Sequence, residues 1–157
     1  LGGFMRPTTI TYPPNGVKPI GVMEFVHGMC ETRQRYAETM KYFNNKGFIC
    51  AISDIRGHGE NILTKEDLGY FGEEGYKGLI DDVHEFTMFL RREFPHLPLI
   101  LIGHSMGSLI VRAYLKKNSR EVQAVVLSGS PSYNRFVGVA ILHVFWLCLG
   151  VGITEVP

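Results

Sequence analysis

The chain has 157 residues, enough for one domain with a buried core and too few for two ordinary ones. With 45% apolar and 20% charged residues, its composition is that of a globular protein. A net charge of +1 with no block of like charge argues against a nucleic-acid partner, and leaves Lys116, Lys117 and Arg120 as the cationic end of a helix.

The opening stretch, LGGFMRPTTI, has no basic segment followed by an apolar one, so no signal peptide is visible. It starts on Leu1 rather than Met, which points to a start further upstream. A strand ends near Ile10, and Pro13-Pro14-Asn15-Gly16 builds a turn. Residues 20–26, IGVMEFV, read as a buried strand. A helix is expected over 32–47, with Thr32 as its N-cap, Tyr36, Met40 and Phe43 on one face, and Gly47 at C′. FICAIS (48–53) is the next strand, followed by a loop rich in glycine and charge over 54–75. Leu79, Val83, Phe86 and Leu90 then mark a helix over 79–94, stopped by Pro95 and Pro98. A strand at 99–102, a helix at 106–117 and a strand at 122–128 follow. Strands alternating with helices, in nearly continuous apolar runs, predict a mostly parallel sheet with helices on both faces.

The strand at 99–102 runs into Gly103-His104-Ser105-Met106-Gly107 and then into a helix. A G-x-S-x-G at a strand-to-helix junction is a nucleophile-elbow pattern, in which a strained turn lifts the serine hydroxyl clear of the sheet. Side chains at 103 or 107 would collide with the neighbouring strand and helix, which requires Gly103 and Gly107. The Met106 N–H, at the helix N-terminus, points to where an oxyanion would form. A second donor is expected from the loop after an earlier strand; VHGMCE (26–31) sits there, with Gly28 for the turn and the Met29 N–H as donor. His27, ahead of the nucleophile in the chain, belongs to the loop that shapes the hole and is given a structural role. The three cysteines, Cys30, Cys50 and Cys148, show neither zinc-site nor CxxC spacing, so free thiols in a reducing, cytoplasmic compartment are expected. Neither a metal nor an organic cofactor is called for.

Three motifs, FVHGMCETRQRYAETMKYFNNKGF, SDIRGHGEN and LILIGHSMGS, give the chain a wider resemblance. It resembles the α/β-hydrolase superfamily and, within it, the monoacylglycerol lipase and lysophospholipase branch grouped with the serine aminopeptidases. GYFGEEGYKGLIDDVHEF looks like that branch's segment before the nucleophile strand, and the resemblance runs over roughly residues 8 to 133. It implies an α/β-hydrolase fold, Ser105 as nucleophile, Met29 and Met106 as oxyanion donors, and a structural turn at Asp54–Gly59. His84, His96 and His104 carry no expected chemistry.

The fold orders its triad as serine, acid, histidine. After Ser105 the acids are Glu121 and Glu155 and the one histidine is His143, and none matches a family position. Glu121 is expected in the turn before the last strand, on the opposite edge of the sheet from the elbow. The chain is therefore expected to be an N-terminal half, with residues 1–133 as core and 134–157 as the start of a cap, lacking C-terminal strands. It would be almost inert alone, with an open sheet edge beside 122–128 that invites association. The apolar run 136–153 is expected to be cap in peripheral contact with a membrane, rather than a span, although a helix of that length would be about 27 Å long. The activity implied is serine-dependent hydrolysis of carboxylic esters with an acyl chain and a small polar leaving group. The alternatives are a proline-iminopeptidase-like serine peptidase, or an inert fragment that serves as a binding module.

Overall fold

The computed structural model of the chain describes residues 6–131. Five strands form one sheet: β1 (Thr8–Thr11), β2 (Gly21–Val26), β3 (Phe48–Ser53), β4 (Leu99–His104) and β5 (Ala124–Ser128), in the order β1-β3-β2-β4-β5. All neighbours are parallel except β1, which runs antiparallel to β3 along one edge. Three helices complete the layers: α1 (Ala37–Asn44), α2 (Tyr76–Glu93) and α3 (Met106–Asn118).

Alternation along the strands sorts the core onto two faces. Met23 and Phe25 of β2 and Cys50 and Ile52 of β3 pack with Met40 of α1. Val22, Ile49, Ala51 and Leu99 meet Phe86 and Leu90 of α2 on the other face, where Val26 and Leu101 meet Ile110, Val111 and Tyr114 of α3. Every residue of β2 is buried, as expected of a central parallel strand covered on both faces. This is the layered arrangement that the alternating pattern predicts.

The helix expected over 32–47 is split. Arg33–Tyr36 form a 3₁₀ turn and the α-helix begins at Ala37. Thr32 stands before the turn in extended backbone but makes no capping bond. The reason is a competitor from β3's end: the Arg33 N–H donates to Asp54 Oδ1 at 2.7 Å, so a remote carboxylate caps this terminus. Tyr36, Met40 and Phe43 share a face as expected. Asn45 is the C-cap, so Gly47, at φ +92°, falls one place beyond the expected C′. Helix α2 starts three residues before its first expected residue, at Tyr76, after Gly75 turns the chain at φ +56°.

Candidate functional site

Strand β4 delivers the chain to Ser105, and α3 leaves from it. Ser105 holds φ +51° and ψ −119°, a backbone region that side-chain-bearing residues rarely occupy. The turn is braced on both sides. The Ser105 N–H donates to the Ser128 carbonyl at 2.9 Å, while the Ser105 carbonyl accepts from the Ser108 N–H at 3.0 Å and the Ser108 hydroxyl at 2.6 Å.

The flanking glycines are required by contact. A Cβ on Gly103 would lie 2.7 Å from the Gly107 carbonyl oxygen and 2.7 Å from Ser108 Cα. A Cβ on Gly107 would lie 2.1 Å from the Val26 carbonyl oxygen. The first packs the strand against the start of its own helix, and the second packs α3 against the end of β2. Met106 is the first residue of α3, so its N–H has no carbonyl one turn earlier to bond.

The loop after β2 lies over the same serine. A Cβ on Gly28 would be 3.1 Å from Ser105 Cβ, and Met29 follows in a turn with Cys30 at φ +57°. Glu31 holds this loop, a role that sequence reading missed. Its Oε2 accepts the Gly28 N–H at 2.8 Å and the Tyr36 hydroxyl at 2.8 Å. Its Oε1 pairs with Arg35 Nε at 3.2 Å and lies 3.8 Å from His104 Nε2. Burial works to raise the Glu31 pKa, but the Gly28 and Tyr36 donors, with His104 and Arg35, hold it below the usual carboxylate range. The only signal in the sequence was a lone acid three residues after a glycine turn.

His27 is buried and fully engaged. The Ile55 N–H donates to its Nε2 at 2.9 Å, which leaves the proton on Nδ1 to donate to the Gly28 carbonyl at 2.8 Å. The ring therefore ties β2's end to the chain leaving β3. Burial foremost, with the nearby His58 ring, lowers its pKa and keeps it neutral. Asp54 is likewise buried within a turn: it pairs with Arg33 and accepts the Glu60 N–H at 3.1 Å, and Gly59, at φ +57°, leaves room for its carboxylate. His58 Nδ1 lies 3.0 Å from the Arg56 carbonyl.

Ser105, Met106 and the Met29 loop are thus brought together. A base is not among them: among the described residues no histidine hydrogen-bonds the Ser105 hydroxyl. Glu121 is not on the opposite edge as expected: it leads into β5, the parallel neighbour of β4, and lies at the other end of these strands from the elbow, where its Oε2 pairs with Arg91 Nε at 3.3 Å. His143, Glu155, Cys148 and the run 136–153 lie outside the described residues. Among the described residues no three His, Cys, Asp or Glu side chains gather as a metal site, and no helix is long and apolar enough to cross a membrane.

A mostly parallel sheet, helices on both faces and a positive-φ serine between β4 and α3 define an α/β-hydrolase fold. Comparison with known proteins narrows the class. The family model described as serine aminopeptidase, S33, matches residues 17–142, and the chain belongs to that family. It is 34% identical over 122 residues to a monoacylglycerol lipase of Mycolicibacterium smegmatis, covering 78% of this chain and 41% of that protein. It is 27% identical over 113 residues to a phospholipase of Bacillus subtilis, covering 71% and 41%. Among solved structures, a thermostable carboxyl esterase from Bacillus coagulans superposes with a TM-score of 0.75 at 29% identity, over 92% of this chain and 46% of that one. The chain spans about two-fifths of the length of these curated relatives.

Proposed function

We propose that this chain carries the nucleophile and oxyanion hole of a serine hydrolase of carboxylic esters. The substrate class is a monoacylglycerol or lysophospholipid: one acyl chain on a small polar alcohol. The observation that carries this reading is Ser105 at φ +51° between β4 and α3, because a strained non-glycine residue persists where the surroundings fix it for use. Kinship with a monoacylglycerol lipase and a phospholipase supports the substrate class.

In this reading Ser105 Oγ attacks the ester carbonyl and its proton passes to a histidine beyond the described residues. The Met29 and Met106 N–H groups take up the charge on the carbonyl oxygen. The tetrahedral intermediate collapses, the alcohol leaves with that proton, and an acyl-enzyme remains on Ser105 for water to cleave. Glu31 and His27 touch no substrate atom here; they set the loop that bears Met29. Residues 1–133 form the first part of the hydrolase core and 134–157 the start of a cap that meets a lipid surface. The base and acid of this reading lie outside the described residues.

The family's description keeps one second reading in view, an aminopeptidase. The test is turnover by the longest natural form of the protein on monoacylglycerols and lysophospholipids beside prolyl and other aminoacyl arylamides. Ester turnover lost in Ser105→Ala supports the proposal. Arylamide turnover without ester turnover assigns the peptidase reading, and turnover of neither overturns both.

A further inference from the structure

Strand β2 carries one charged residue type in an otherwise apolar run. Glu24 is almost wholly buried, at 1% exposure, on the face that receives α2 and α3. Thr87 of α2, also fully buried, donates its hydroxyl to Glu24 Oε2 at 2.8 Å. Glu24 Oε1 has no hydrogen-bond partner. The other buried side-chain atoms without one among the described residues are Tyr114 Oη, on α3, and His84 Nδ1, on α2. These belong to one neighbourhood: Tyr114 lies beside Thr87 and within the field of Glu24, and its ring centroid is 6.1 Å from that of His84. Glu24, Thr87 and the Tyr114 hydroxyl thus meet in the seam between β2, α2 and α3.

We propose that Glu24 is a proton latch in this seam: as a neutral acid it lets α2 and α3 close on β2, and its ionisation loosens them. A carboxylate with one donor and one bare oxygen is costly in an apolar core, whereas the neutral acid is tolerated. Among the described residues no free cation offsets the charge. The charged groups that share Glu24's 30 Å³ cavity are engaged with one another: Arg6 with Asp82, and Asp54 with Arg33. On α3 the group facing it is Tyr114, itself pushed up to about 12 chiefly by burial, so it stays a neutral phenol. On α2 the groups are Thr87 and, past Tyr114, His84; Arg91 and the Glu121 it pairs with act on Tyr114 from the far end. On β3 and β4 the cross-strand neighbours are Ala51 and Leu101, which carry no charge. Burial accordingly pushes the Glu24 carboxyl up to about 8, against the pull of the Thr87 hydrogen bond. The latch bears on the elbow because α3 starts just after Ser105 and its Gly107 packs against the Val26 carbonyl, two residues along β2.

A carboxyl whose pKa is raised by folding binds its proton more tightly in the folded state. Stability is therefore full below the ordinary value of 4.5 and falls as pH rises toward 8, then levels off. The experiment is urea unfolding of the chain from pH 5 to 9.5, wild type against Glu24→Gln. Relative to the variant, the wild-type unfolding constant should rise by about tenfold per pH unit up to that limit. Parallel profiles would overturn the latch. Should Glu24→Gln fail to fold, carboxyl ¹³C NMR of the wild type decides. One glutamate titrating far above the rest, and higher still in Thr87→Val, supports the latch, and glutamates that all titrate in the ordinary range overturn it.

Discussion

At Ser105 the backbone holds φ +51° in a residue that carries a side chain. A non-glycine residue at such a φ costs on the order of 1–3 kcal/mol, and glycine removes the steric part of it. Ser105→Gly should therefore raise the unfolding free energy by about 1 kcal/mol while removing the hydroxyl, a gain that thermal or urea unfolding would register. His27 makes the opposite kind of prediction. Its neutral ring accepts from Ile55 and donates to Gly28, and folding lowers its pKa. The unfolded chain binds the extra proton, so this contribution is full above the ordinary value of 6.5 and is lost as pH falls below it. His27→Gln should cost about 1–3 kcal/mol at neutral pH and flatten the acid limb of the stability profile. Residues of this kind differ in how much the sequence betrays them. Ser105 and its glycines were legible because a contact of 2.1 Å at Gly107 forbids any side chain there. The bond from Gly28 to Glu31 was not, although it spans only three residues, because a carboxylate after a turn has many possible partners; nor was the pairing of Glu24 with Thr87, sixty-three residues further along the chain.

At the level of elements, the apolar pattern found all three helices among the described residues and strands β2 to β5: each helix buries one apolar face, and each strand is a short apolar run. What it misplaced were ends. The N-terminus at Thr32 is capped from Asp54, twenty-one residues along the chain from Arg33, and no window of local sequence contains that carboxylate. The start of α2 was missed because Tyr76 and Lys77 lie outside its apolar stripe, and Tyr76 is exposed. The direction of β1 was likewise invisible, since an edge strand pairs on one side and carries little pattern. The sheet's other edge raises a matter of packing. Strand β5 has no outer neighbour among the described residues, with Val126 48% and Leu127 41% exposed. Val126 also borders an apolar groove of about 480 Å³ floored by Met23, Phe25 and Ile102 beside α1. An open edge next to an apolar groove favours association. Sedimentation of the 157-residue chain should show concentration-dependent self-association that Val126→Lys reduces.

For the molecule as a whole, the fold brings Ser105 and the Met29 loop together. The elbow and the Met29 loop come from neighbouring strands β4 and β2, so they meet without help from anything further along the chain. Among the described residues no histidine hydrogen-bonds the Ser105 hydroxyl: His27 and His58 are committed to the backbone, and His104 Nδ1 lies 3.4 Å from the Ser128 hydroxyl. That arrangement explains why the elbow was legible in a local motif and the proposed base was not. The central claim is that Ser105 is the nucleophile and depends on a base from outside the described residues. The measurement that tests it most directly is fluorophosphonate labelling, with the adduct located by peptide mass spectrometry, on the 157-residue chain and on the protein's longest natural form. The account predicts rapid labelling at Ser105 in the longest form, abolished in Ser105→Ala, and labelling of the 157-residue chain slower by orders of magnitude. An adduct on another residue, or equally rapid labelling of the 157-residue chain, would contradict it.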